Sequence, residues 1–416
     1  MQYSDGPPDG NGPFEACRQG LSRPAWFTLG TAPLEETPMQ STLCRKLGIE
    51  FPLFAFSHCR DVVAEVSKAG GFGVLGIVGH TPESVAIELD WLDARVGDAP
   101  YGVDLIVPNS LDAKEGGLSP AEIEARIPPE HRRHVERILT DHGIDTRSLW
   151  QGGIDTDYGD NLRASGAQAV LAEALRHERV KLVVNALGVP PAFMFEMARA
   201  RGVMVGALTG AREHAIKHAQ AGVDLLVVAG GEAGGHCGEV ATMVLVPEVI
   251  DAMRDYPGIH VLAAGGIVTG RQMAACMAMG ADGAWCGSVW LTTREAETNP
   301  VVKQKMLEAD SRQTVRSRSR TGKYTRQLRS PWTDAWQAPG APDPLPMPLQ
   351  GLVSGPALEL IDKLSQQGDP GARALATYWV GQGVGLMNQP LSTRQVVQDF
   401  MEDFAAACER LGALAG

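Results

Sequence analysis

"VVAGGEAGGHCG", residues 227–238, is an apolar run that ends in glycines, with Glu232 and His236 set among them. Glycine costs backbone entropy. A cluster at the end of a buried run therefore signals tight turning, or a close approach of the main chain to something held there. The apolar part of the stretch recurs along the chain. Similar runs lie at 51–56 (FPLFAF), 71–78 (GFGVLGIV), 101–107, 180–187, 203–210, 223–230, 260–267 and 283–291 (GAWCGSVWL). Between them come amphipathic stretches such as DVVAEVSKAG and AREHAIKHAQAG. Near-continuous apolar runs suit strands buried on both faces, and strand–helix alternation marks a parallel sheet. The pattern predicts an α/β fold, a (β/α)8 TIM barrel; a doubly wound open sheet is the rival, but it usually has fewer strands.

The 416 residues suit such a barrel with additions. Residues 1–40 are rich in Pro, Gly and polar residues and read as an N-terminal extension. The barrel is expected over 41–310, with a helical insertion at 108–165 after the third strand. A basic and then Pro-rich excursion follows at 311–350, and a C-terminal helical segment at 351–416. The net charge of −12 argues against a general nucleic-acid binder. No apolar run is long enough to span a bilayer, and the first residues lack a signal-peptide pattern. The seven cysteines are scattered, with no C-x-x-C pair and no zinc-ligand spacing. Reduced thiols, a cytoplasmic location and no metal are the expectation.

Barrel active sites lie at the C-terminal ends of the strands, where these glycines cluster. Phosphate in such barrels is held after strands seven and eight. There "AAGGIVTGRQ" offers bare N–H groups opening onto a helix, and "CGS" (286–288) adds Gly287, inside the eighth strand, and the Ser288 hydroxyl. His236 is the candidate catalytic group and His58, after strand one, the second choice. Glu232 is expected to anchor its loop through backbone N–H groups. His214 and His218, at i and i+4 without a third ligand, read as a solvated helix face. His131 and His134 read as surface, and Cys237 as structural. The basic run SRQTVRSRSRTGKYTRQLRS reads better as a segment folded over an anionic phosphate than as a nucleic-acid tail.

The blocks "GGEAGGHCG" (230–238) and "LAAGGIVTGRQMAACMAMGADGAWCGSVWL" (262–291) resemble the FMN-dependent nitronate monooxygenases. "KAGGFGVLG" (68–76) and "TGKYTRQLRS" (321–330) look like two further blocks of that family. The first block also occurs in flavin-dependent enoyl-ACP reductases. The resemblance implies bound FMN, a small-molecule substrate and O2, with His236 as catalytic base or substrate-facing group. It implies Gly265, Gly266, Gly287 and Ser288 at the FMN phosphate, and Ala55, Phe56 and Ser57 along the ring. Gly230, Gly234 and Gly235 would let the ring and substrate approach closely. Two positions depart from the family's pattern. Ala229 stands where glutamine is usual, and Asp104 where an asparagine touches the flavin. An acid there would disfavour an anionic reduced ring unless it is protonated or paired. Two alternatives stay open: an NAD(P)H-dependent enoyl-thioester reductase, and a non-redox phosphate-binding barrel. A homodimer is one candidate assembly.

Overall fold

The computed structural model describes residues 41–107, 125–151 and 164–415. The extension read at 1–40, and the parts of the insertion at 108–124 and 152–163, lie outside the described residues. Nine strands come first in the chain: β1 Leu53–Ser57, β2 Phe72–Gly76, β3 Tyr101–Leu105, β4 Val180–Asn185, β5 Met204–Thr209, β6 Leu225–Ala229, β7 Gly235–His236, β8 His260–Ala264 and β9 Gly283–Cys286. All but β7 close into one parallel barrel, in the order β1-β2-β3-β4-β5-β6-β8-β9, with β9 paired back onto β1. The barrel reading holds and the open sheet is excluded. One boundary is corrected. The eighth barrel strand, β9, stops at Cys286, so Gly287 lies beyond it, before the 3-10 helix Ser288–Thr292.

Successive side chains of a strand alternate between the two faces. On β3, Tyr101, Val103 and Leu105 pack into the layer between strands and helices. Gly102 and Asp104 therefore face the barrel interior. That interior is filled by apolar side chains, among them Phe54, Phe72, Val184, Leu225, Leu262 and Trp285. Phe54 sits 5.1 Å from Phe72 and 6.3 Å from Trp285, ring centre to ring centre. The helix Thr42–Leu47 adds Leu43, Cys44 and Leu47 to the same cluster. Its Lys46 reaches His260, the first residue of β8, at 3.2 Å. This helix therefore covers the N-terminal end of the barrel, and the C-terminal end is the mouth.

A second apolar core gathers the insertion helix Pro129–Thr140, Trp332, Trp336, the helix Leu349–Gln366 and Leu375. It joins the barrel through a small antiparallel sheet in which β11 (Thr325–Leu328) lies between β10 (Thr314–Ser317) and β7. Thr325 pairs with His236 and Arg326 with Gly235. His131 and His134 are consequently not surface residues but buried. His131 Nε2 donates to the Asp343 carbonyl at 2.9 Å. His134 meets the Trp336 ring edge-on at 4.7 Å. His218 is corrected in the same way: it is 3% exposed, although His214, one turn earlier, is exposed. Among the described residues no helix is long and apolar enough to cross a membrane.

Candidate active site

The loop after β6 is held by Glu232. Its Oε2 accepts from the backbone N–H of Thr242 (2.8 Å) and from the Thr242 hydroxyl (2.9 Å), at the start of the helix Thr242–Met253. A carboxylate is favoured at a helix N-terminus because it meets unpaired N–H groups and the positive end of the dipole. The anchoring role read from the sequence is the one observed. The Glu232 carbonyl also accepts from Gln382 N–H at 2.9 Å, which pins the C-terminal segment across the loop.

Two of the loop's glycines are bare for a reason other than a ligand. A Cβ on Gly230 would lie 2.2 Å from Thr242 Oγ1, and one on Gly234 would lie 2.8 Å from the Gly381 nitrogen. The protein itself fills the space where a side chain would go at both, so packing alone requires glycine there. Gly235 differs: its φ is +74°, and its Cβ position opens onto free space. His236 follows on β7, exposed at the mouth, with Nε2 3.0 Å from Thr321 Oγ1. The wall crowded around it, with Lys323 adding its charge, pulls the imidazole pKa down to about 4. His236 is therefore neutral at physiological pH.

β8 ends in the turn Gly265–Gly266, where φ is +103° and +73°, a region that favours glycine. Ala264 pairs with Trp285, so this turn runs beside Cys286 and Gly287. The backbone N–H groups of Gly265, Gly266 and Gly287 bond to no acceptor among the described residues. A Cβ on Gly287 would touch nothing closer than Phe56 Cδ1 at 3.9 Å. These main-chain donors form a cradle suited to an anion. Ser288 borders it, its Oγ already accepting from Gly381 N–H at 2.8 Å. The expected helix N-terminus is corrected. At the helix Gly270–Ala278, Gln272 Oε1 takes the N–H groups of Val268 (2.9 Å) and Thr269 (3.1 Å). Asp403 takes that of Arg271 at 2.7 Å. The helix start is thus capped from within.

Beside Gly287, Phe56 stacks on Trp285 at 6.1 Å. His58 is exposed and bends back so that Nδ1–H donates to the Gly76 carbonyl at 3.1 Å, its ring edge-on to Phe56. Crowding by the wall lowers its pKa below the ordinary imidazole value. Ser57 Oγ accepts from Cys59 N–H at 3.0 Å and shapes the turn out of β1. The Ala55 side chain packs into the helix layer, so only its main chain is available to the mouth. Asp104 and Ala229 complete the inner rim, 2% and 9% exposed.

Three arginines of the basic excursion serve protein acceptors. Arg326 Nε donates to the Gly231 carbonyl at 2.9 Å, Arg318 to the Pro344 carbonyl at 2.7 Å, and Arg320 to the Thr377 carbonyl at 2.9 Å. Three contributors escaped the sequence reading: Thr321, Gly381 and Asp403. Thr321 opens a block that had been singled out, so the block was visible but not its contact. Gly381 falls in "VGQGVG", a glycine cluster that could have been suspected on the same grounds as the others.

A closed parallel barrel with a glycine-edged mouth, unpaired main-chain donors after its last two strands and imidazoles beside them defines a TIM barrel whose mouth suits an anionic ligand. The chain belongs to the nitronate monooxygenase family, whose model matches residues 40–403. It is 50% identical over 383 residues to a protein of Mycobacterium tuberculosis described as a candidate monooxygenase, covering 90% of this chain and 99% of that one. A "probable nitronate monooxygenase" of Staphylococcus aureus (strain Newman) is 26% identical over 305 residues, 70% of this chain and 78% of that one. Nitroalkane oxidase from Streptomyces ansochromogenes superposes with a TM-score of 0.70 at 25% identity, covering 89% of this chain and 100% of that one. FabK from Thermotoga maritima shares the fold at a TM-score of 0.64 and 24% identity, covering 90% and 99%. Family membership makes the chain an oxidoreductase and implies a flavin cofactor.

Proposed function

We propose that the chain is an FMN-dependent oxidoreductase that oxidises alkyl nitronates, or related substrates that form carbanions, with O2. The observation that carries this reading is a neutral His236 at a mouth whose adjoining strand ends offer the unpaired main-chain N–H groups of Gly265, Gly266 and Gly287. The N–H groups of these three glycines and the Ser288 hydroxyl would hold the FMN phosphate. Phe56, the main chain of Ala55 and Ser57, Asp104, Ala229 and the β6 loop from Gly230 through Gly234 and Gly235 would border the ring. FMN supplies the redox chemistry; the protein positions the substrate and excludes competitors. A nitronate arrives without its acidic proton, so little acid–base work is asked of the site. A neutral nitroalkane needs a base. His236 can accept that proton at Nδ1, while Nε2 stays with Thr321.

The test is the visible spectrum of the purified protein after incubation with FMN, followed by anaerobic addition of an alkyl nitronate and, separately, of NADPH. Bleaching by nitronate and O2 uptake on admission of air are expected. Bleaching by NADPH alone would turn the reading to an enoyl-thioester reductase, and failure to retain FMN would end it. The six described cysteines are free thiols, which supports a reducing, cytoplasmic setting. A homodimer is the assembly to test by light scattering.

A further inference from the structure

Among the inward-facing residues in the mouth-side halves of the eight barrel strands, Asp104 alone is ionisable. It is 2% exposed, and among the described residues nothing gives its carboxyl a hydrogen bond or an ion pair. Its neighbours in register are Gly76 on β2 and Val184 on β4, neither of which can donate from a side chain. On the β2 side the His58 ring covers Gly76, its Nδ1–H already committed to the Gly76 carbonyl. With no partner among the described residues, a carboxylate at this point would be an uncompensated charge, which costs far more than keeping the proton. Burial accordingly holds the carboxyl well above the usual carboxylate range. A protonated acid has one O–H to give, and no described residue takes it.

We propose that Asp104 is a neutral carboxylic acid that donates a hydrogen bond to an acceptor atom on the flavin ring edge. This rests on the flavin reading above. It reverses the electrostatic expectation drawn from the residue type: a donor supports extra electron density on the ring, where a carboxylate would oppose it. An aspartic acid kept protonated can then serve in a place that would otherwise call for an amide.

The experiment has a part that needs no cofactor. Infrared difference spectra of the apo protein, wild type minus Asp104→Asn, should show at pH 7 the C=O stretch of a protonated carboxylic acid. Adding FMN should shift that band to lower frequency. Asp104→Asn keeps a donor and Asp104→Leu removes it at similar volume, with melting curves confirming that both fold. Affinity for dithionite-reduced FMN should fall about tenfold in the Leu variant and stay within about threefold in the Asn variant, as expected for loss of one hydrogen bond. A carboxylate band in place of the acid band overturns the proposal. So does an acid band that FMN leaves unmoved, or equal affinities in the Asn and Leu variants. If the wild type binds no FMN, the flavin reading and the ring contact fall together, while the apo spectrum still decides the protonation state.

Discussion

The mouth of the barrel has a crowded flank and an open one, and both are built from glycine. On the crowded flank, Gly230 and Gly234 lie against Thr242 and against Val380–Gly381, with no space for a methyl group. On the open flank, Gly235 meets nothing within 4 Å, and Gly287 only the distant edge of Phe56. The first pair lets the β6 loop pack down so that Glu232 can cap the helix behind it. The second pair keeps a surface bare. Composition alone does not distinguish a glycine that packing requires from one that leaves room for a side chain; the atoms standing where Cβ would be do.

The largest effect expected follows from the crowded flank. Gly230→Val should cost roughly 3 kcal/mol or more, because neither Thr242 nor the helix start can retreat; urea unfolding measures it. Near-normal stability would erase the distinction between the flanks. Next comes His236→Asn, which should lower turnover of a neutral nitroalkane by about 10²- to 10⁴-fold while the protein stays folded and yellow. Unchanged turnover on nitronate and nitroalkane alike would remove the imidazole from the mechanism.

The comparison extends to two imidazoles with equally depressed pKa values in different settings. His218 is buried and is pulled down to about 4. Its folded pKa is below the unfolded one, so the native state refuses a proton that the unfolded chain accepts. Stability is whole above about pH 6.5 and declines as the pH falls towards 4, by up to ~3 kcal/mol from this group. Replacing His218 with leucine should flatten that part of the stability–pH curve. His236, with a similar value, should keep turnover level from pH 8 to 6 and lose it only as the pH approaches 4. A turnover midpoint near 6.5 would contradict this.

The smallest effect is the most discriminating for the open flank. Gly287 has φ −116° and ψ −57°, which alanine can adopt, and space for a methyl group in the bare protein. Gly287→Ala should leave stability within about 0.5 kcal/mol of wild type. It should still weaken FMN binding several-fold, read by fluorescence titration.

Much of the barrel is legible in single runs of sequence. The run 223–230 is apolar on both faces, because β6 is buried against the barrel interior on one side and helices on the other. The Glu232 anchor is legible too, since an acid directly after a strand-end glycine pair has few acceptable partners besides N–H groups. The insertion helix misleads: its His131 and His134 sit in a charged stretch, and residues far along the chain, Trp336 and Asp343 among them, pack against them. The start of the helix Gly270–Ala278 misleads in the same way, because Asp403, from the last helix of the chain, takes a donor that looks free.

Local periodicity and chain order by themselves determine that this protein is a parallel barrel with a mouth at its glycine-rich strand ends, since strands buried on both faces and separated by helices have few other ways to close. Only the tertiary structure decides which of those glycines stays open, which imidazole is neutral at the surface and which inside, and that Asp104 lacks a partner among the described residues. Each depends on atoms delivered by segments far away in the chain, and desolvation and steric fit are properties of that assembled neighbourhood.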